Sequence, residues 1–109
     1  MNKFTLKPVL QPSPKKLSLP VNYNKCHWSV RKQAREQYCE EQEWKCCHCG
    51  EDLNGTPSNE VMSKTINRRL FPKGMFDHPI HLHHDHKTGM TIGAVHAKCN
   101  AVLWQYYGE

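Results

Sequence analysis

The chain has 109 residues, enough for one small domain. Only 38% of them are hydrophobic, beside 6 Cys and 8 His, so a metal staple is a better source of stability here than a large core. No apolar stretch approaches a membrane span and the start has no apolar signal core. That excludes a membrane protein, points to the cytoplasm, and ranks a disulfide framework below a metal-bound set of reduced thiols.

The formal net charge of +5 is unevenly spread. Residues 1–35 hold eight Lys/Arg and no Asp or Glu, whereas residues 36–52 hold six Asp/Glu against Lys45 alone. A basic arm suits a polyanion such as nucleic acid, and from charge alone a solvated tail is as good a reading. Pro8, Pro12, Pro14 and Pro20 argue against a packed element, so residues 1–25 read as an extended basic arm and residues 26–109 as the domain. The scattered Leu6, Val9, Leu10, Leu17, Leu19 and Val21 leave the arm able to dock.

Ser29 is an expected N-cap, followed by a helix over residues 30–44 in which Val30, Ala34 and Tyr38 form one face. Its charges oppose the helix dipole, with Arg31 and Lys32 at the positive end and Glu40, Glu41 and Glu43 at the negative end. Each mismatch costs at most about 0.3–1 kcal/mol. The pattern hints that the basic end faces phosphates, and a salt-bridged neighbour would explain it equally well. Trp28 and Trp44 bracket this helix and read as core.

Residues 46–50 form a tight turn. Residues 51–79 read as a long loop with at most a short helix near residues 61–66. In it, Arg68, Arg69 and Lys73 either grip phosphate or are solvated. Two short strands are expected at Ile80–His84 and residues 90–95, then a closing helix over Ala97–Tyr107 stopped by Gly108. Trp104, Tyr106 and Tyr107, at helical spacing, read as core before they read as a base-stacking platform.

Two constellations carry chemistry. Cys46 and Cys49 have the spacing that grips a zinc ion from a turn, and His96 and Cys99 lie at i and i+3 on one helix face. Together they make the three-Cys, one-His set that structural zinc prefers. Cys26 and Cys39 read as spares, and His48 as pointing away from the turn. Residues 81–86 read His-Leu-His-His-Asp-His, a density that collects metal, phosphate or protons. A second zinc site or a histidine-rich surface is the bland alternative. A hydrolytic site needs a Lewis acid, a base and an orienting group, and a neutral histidine suits the base.

The combination of Cys-x2-Cys, the phrase Leu82-His83-His84-Asp85-His86-Lys87-Thr88-Gly89, and then Gly93-Ala94-Val95-His96-Ala97-Lys98-Cys99-Asn100 resembles the HNH endonucleases. The nearest subgroup is the recombination endonuclease VII-like set, found largely in bacteriophages. The likeness spans roughly residues 28–108. It implies a small α+β fold, the ββα-metal (HNH, His-Me finger) domain with a preceding helix and a structural zinc held by Cys46, Cys49, His96 and Cys99. It implies that His83 and Asn100 hold a catalytic divalent metal, Mg2+ or another such as Mn2+. His84 would be the general base, and His86 would contact the scissile phosphate or brace the site. His83 departs from the subgroup, where Asp often stands, which bears on metal preference.

Cys99 and Asn100, about 100° apart around a helix, can face different sites. Strict strand alternation sends His83 and His84 to opposite faces, so the pair is expected where the strand ends and bends. The implied activity is metal-dependent hydrolysis of DNA, by nicking or double-strand cleavage and with branched DNA among the candidate substrates, in a host cytoplasm if phage-encoded. A homodimer stays open, because paired nicks need two active sites. The alternative function is a non-catalytic, zinc-dependent nucleic-acid-binding module.

Overall fold

A computed structural model describes residues 16–109. Helix α1, Trp28–Glu41, runs into the cysteine-rich turn. A long segment follows, carrying a single helical turn, α2, at Asn59–Met62 and 3-10 turns at Arg68–Leu70 and Met75–Asp77. Strands β1, Ile80–His84, and β2, Thr91–His96, pair antiparallel, and helix α3, Ala97–Tyr107, closes the chain. The result is a small α+β domain built on a two-stranded sheet.

Helix α1 starts earlier than Ser29 predicts. His27 is the N-cap: its Nδ1 accepts from the Ser29 amide at 3.2 Å, and Ser29 sits inside the first turn. The helix also ends before residue 44, because Glu43 and Trp44 adopt left-handed backbone angles (φ 53° and 60°). That conformation is costly for residues with a Cβ. Here the Trp44 amide is satisfied by the Cys39 carbonyl at 2.8 Å, and the turn delivers the chain to Cys46. Gln42 then locks α1 to β2, donating to the Ala94 carbonyl and accepting from the Ala94 amide, both at 2.9 Å. Gly93 makes that approach possible: a Cβ there would lie 2.7 Å from Gln42 Oε1 and 2.9 Å from Cys47 Sγ.

The strand pairing slips between His83 and His84. His83 stands opposite Gly93 and His84 opposite Thr91, which leaves Ile92 as an extra, exposed residue. Such a bulge bends a strand and sharpens its twist. Alternation therefore holds: His81 and His83 turn towards α3, and His84 turns towards the segment ahead of α1. The turn after β1 is closed by Asp85, whose carboxylate accepts from the Lys87 and Thr88 amides at 2.7 and 2.9 Å, and by Gly89 at φ 80°.

Residues 1–15 of the expected arm lie outside the described residues. Its remainder lies against the domain. Gln37 pairs with both backbone groups of Leu17 at 2.9 Å. Val21 accepts from the Thr91 amide at 2.9 Å, and the Tyr23 amide donates to the Gly89 carbonyl at 2.7 Å. Residues 21–23 thus extend the edge of β2.

The core is thin. Its fully buried larger side chains are Leu53, Val95, Val102 and Cys99, supported by Cys39, Val61 and Ala94. The tryptophans and tyrosines expected in it are at the surface. Trp28 is 62% exposed and Trp44 37%, and Trp104, Tyr106 and Tyr107 are all about half exposed. The buried face of α3 is instead Ala97, Cys99, Ala101, Val102 and Leu103. With small residues at the packed positions, α3 approaches the sheet closely and the large rings are pushed outward. Tyr106 there fastens the long segment, its hydroxyl donating to the Thr65 carbonyl at 2.8 Å.

Candidate metal centre and histidine site

The Cys46–Cys49 turn is shaped by its backbone. The Cys46 amide donates to the Glu51 carbonyl at 2.8 Å and the Gly50 amide to the Cys46 carbonyl at 3.0 Å, with Gly50 at φ 81°. The Cys47 amide donates to Ala94 at 3.0 Å and ties the turn to β2, two residues from His96. Cys46, Cys49, His96 and Cys99 present four ligand atoms all within 4.8 Å of one another. They could hold a metal ion such as zinc.

The spacing suits that ion in detail. A tetrahedral zinc with Zn–S near 2.3 Å and Zn–N near 2.0–2.1 Å needs sulfur and nitrogen roughly 3.5 Å apart. His96 Nδ1 lies 3.5 Å from Cys49 Sγ and 3.6 Å from Cys99 Sγ. Its other nitrogen, Nε2, is 2.8 Å from the Asp52 carbonyl, which can only accept. Nε2 therefore carries the proton and Nδ1 turns a lone pair towards the sulfurs, the orientation that outer partners give metal-binding imidazoles. A hydrogen bond from Cys99 holds the Cys46 thiol down to about 4, and the same bond with burial pushes Cys99 upward. One proton shared between facing sulfurs is what a cation would displace.

Cys39 is packed in the core and its thiol is raised by burial. Cys26 and Cys47 are also outside the four-residue set, and His48 is exposed on the turn.

The second cluster is built on one asparagine. Asn100, on α3 directly after Cys99, bridges two histidines of β1. Its Nδ2 lies 3.1 Å from His81 Nδ1, and its Oδ1 lies 3.2 Å from His83 Nδ1. His81 Nε2 is 2.8 Å from the Met75 carbonyl. That carbonyl fixes the whole chain of protons. It can only accept, so His81 carries its proton on Nε2 and offers a bare Nδ1. Asn100 must donate there, which leaves its Oδ1 to accept from a protonated His83 Nδ1. Burial lowers the pKa of both histidines, which favours the neutral forms this chain requires.

His84 stands apart from that chain. Among the described residues no side chain hydrogen-bonds its ring, and the Leu82 backbone, which accepts from it, works to raise its pKa. Its ring stacks on Tyr23 with centroids 4.0 Å apart and planes at 8°. His86 follows at 4.8 Å, and Trp104 lies 5.2 Å beyond His86. Desolvation, then the neighbouring His86 and His83, push its pKa below the ordinary histidine value.

His81, His84 and Asn100 open on one groove of about 440 Å³, whose other wall includes Tyr23, Trp28, Arg31, Lys32 and Arg35. The basic start of α1 thus faces the histidine cluster. Among the described residues no carboxylate pairs with these three cations, which removes the salt-bridge explanation for their placement against the helix dipole. Arg68 lies elsewhere, over the Phe76 ring at 4.4 Å, and Arg69 and Lys73 are exposed.

Of the residues singled out in the sequence, Cys46, Cys49, His96 and Cys99 come together, and so do His83 and Asn100. His84 and His86 lie in the adjoining row of rings. His81 and Tyr23 were not singled out. His81 had a readable signal, since it sits two residues from His83 and shares its strand face. Tyr23 had none.

No family model, no curated protein and no solved structure matches this chain. Among the described residues, no helix is long and apolar enough to cross a membrane.

Proposed function

We propose that this chain is a metal-dependent DNA endonuclease of the HNH (ββα-metal) type, akin to the recombination endonuclease VII-like subgroup, with zinc as its structural staple. The observation that carries the reading is the groove. An imidazole with no side-chain hydrogen bond, and an asparagine fixed between two histidines, face three cations that no described carboxylate pairs, across a space open to a polymer backbone. Phosphate contacts from such cations position a strand without reading its sequence.

The donor set at the cluster fits a divalent ion. Neighbouring ligands at about 2.1 Å in an octahedral shell stand roughly 3.0 Å apart, close to the 3.2 Å between His83 Nδ1 and Asn100 Oδ1; an ion there would displace the proton that Nδ1 gives to Oδ1 and hold His83 as its other tautomer. An imidazole and an amide oxygen form a mixed nitrogen–oxygen set, which accepts Mn2+ more readily than the all-oxygen shell that Mg2+ favours. When bound there by His83 and Asn100, the ion would act as a Lewis acid on a phosphoryl oxygen. His84, neutral near pH 7, takes a proton from the attacking water as the new P–O bond forms and the bond to the leaving ester oxygen breaks. Arg31, Lys32 and Arg35 hold the flanking phosphates. His86, beside His84, is within reach of the same backbone.

The test is incubation of the full chain with supercoiled plasmid and with a synthetic four-way junction, with Mg2+ or Mn2+ and with EDTA. Metal-dependent nicking or linearisation that EDTA abolishes is expected. Tight DNA binding with no cleavage under any metal would replace the enzyme with a zinc-dependent binding module.

A further inference from the structure

We propose that Tyr23, from the segment ahead of α1, is a positioning residue for His84: its ring sets the plane of the imidazole at the mouth of the groove. The inference deepens the nuclease reading and rests on it.

A general base is ordinarily aimed by a third group that hydrogen-bonds its far nitrogen. His83 has such a partner in Asn100, and His81 has two, whereas among the described residues His84 has only the Leu82 backbone, two residues back on its own strand. One bond to its own strand leaves the ring free to turn about it, so its plane is set by packing. It occupies the last residue of β1, just past the slipped register, where the sheet alone constrains it least. Two rings touch it. His86 is tilted by 39° at 4.8 Å and is itself exposed. Tyr23 lies nearly parallel at 4.0 Å, so it blocks rotation out of that plane.

Tyr23 is in turn held more firmly than an arm residue has reason to be. Its amide donates to the Gly89 carbonyl at 2.7 Å, and its carbonyl accepts from Arg31 Nη1 at 3.2 Å. The Arg31 guanidinium also lies 4.9 Å from the centre of the Tyr23 ring. On either side Asn22 pairs with Met90, and Asn22 and Asn24 crowd Gly89 so closely that a Cβ there would stand 2.9 Å from each side chain. The turn after β1 is thus clamped to the residues that carry the stacking ring. Arg31, a wall of the groove, is clamped with them. One hydrogen-bonded unit presents the imidazole, fixes its plane and sets a cation beside it.

The experiment is single-turnover cleavage of plasmid by the full chain with Mn2+, at saturating protein, for wild type, Tyr23→Ala, Tyr23→Phe, His84→Ala and the double variant Tyr23→Ala/His84→Ala. DNA affinity is measured alongside. Tyr23→Ala is expected to slow the cleavage step about 10- to 100-fold with DNA affinity changed less than about three-fold, in line with the loss when a catalytic group is misplaced. Tyr23→Phe, which keeps the stacked ring, recovers most of that loss. The double variant is no slower than His84→Ala alone, because groups that act as a unit are not additive. Ring protons of His84, followed by NMR, are shifted upfield in wild type and in Tyr23→Phe and return to ordinary values in Tyr23→Ala.

Wild-type cleavage by Tyr23→Ala, or full additivity with His84→Ala, overturns the positioning role and leaves the nuclease standing. A loss that appears only as weakened DNA binding makes Tyr23 a substrate contact and overturns it as well. If the wild-type chain cuts nothing, the nuclease reading falls and takes this role with it, even where the upfield shift records the stack.

Discussion

Two clusters meet at the start of α3, and they are built in opposite ways. Cys99 faces the Cys46, Cys49 and His96 set, where the ligand atoms converge on one point and the outer nitrogen of His96 is closed by Asp52. Asn100, the next residue, faces β1, where side chains form a line of hydrogen bonds that ends in a row of rings opening on a groove. The first arrangement satisfies every donor inwardly and suits a closed structural ion. The second leaves His84 without a side-chain hydrogen bond at the surface of a cavity, where its ring can serve chemistry. A single helical step separates them because consecutive helix positions point about 100° apart.

The comparison breaks most visibly on Cys99→Ala. The thin core supplies little stability, whereas structural zinc binding contributes on the order of 10–16 kcal/mol in small domains. The expected outcome is loss of the metal and of the cooperative melt, checked by elemental analysis and circular dichroism. Folded wild-type protein that contains no zinc would remove the staple from the account.

His84→Ala should do the reverse: zinc content and melting stay near wild type, DNA still binds, and the cleavage rate falls by about 10²–10⁴. Asn100→Ala is expected to keep zinc and lose cleavage as well, through placement of the catalytic ion. Loss of zinc from His84→Ala would merge the two clusters into one.

A finer test is His81→Leu, which keeps volume but removes the acceptor that orients Asn100. Outer partners of metal ligands are worth about 10–100-fold in affinity or activity. Mn2+ binding at the histidine site should weaken in that range while DNA affinity holds, read by titration of the ion's electron paramagnetic signal.

The smallest effect belongs to the arm. Deleting residues 1–15 removes Lys3, Lys7 and Lys15. It should weaken DNA binding and flatten its salt dependence by up to about 0.9 in logarithmic slope for each phosphate no longer neutralised, with the saturated cleavage rate kept. Composition alone would have put the cut at residue 25. That longer deletion also removes Tyr23 and the pairing to Gly89 and Thr91, so the rate is expected to fall with it.

Much of this molecule was legible in its sequence because short-range chemistry wrote it. The spacings of Cys46 with Cys49 and of His96 with Cys99, the period-two run from Ile80 to His84, and Gly108 as the stop of α3 all express constraints that act within a few residues. Periodicity misled where packing decided. Trp28, Trp44, Trp104, Tyr106 and Tyr107 have the size of core residues, yet close helix–sheet packing through Ala34, Ala94 and Ala101 excludes them. Likewise the cap of α1 moved to His27, whose imidazole accepts from the amide of Ser29 itself.

The sequence by itself determined the four-residue Cys/His set, the strand–turn–strand–helix order and the chemical character of the histidine run, since each depends on residue type and local spacing. Only the tertiary structure decided which histidines join the chain through Asn100 and which stands outside it. The Met75 carbonyl that sets the protons of His81, Asn100 and His83 belongs to the backbone, which no residue pattern announces. Tyr23 and Arg31 reach His84 and its groove from more than fifty residues away in the chain, held there by backbone pairing at the edge of β2. Approaches of that range come from how the segments pack, and so they could be read only once the chain was folded.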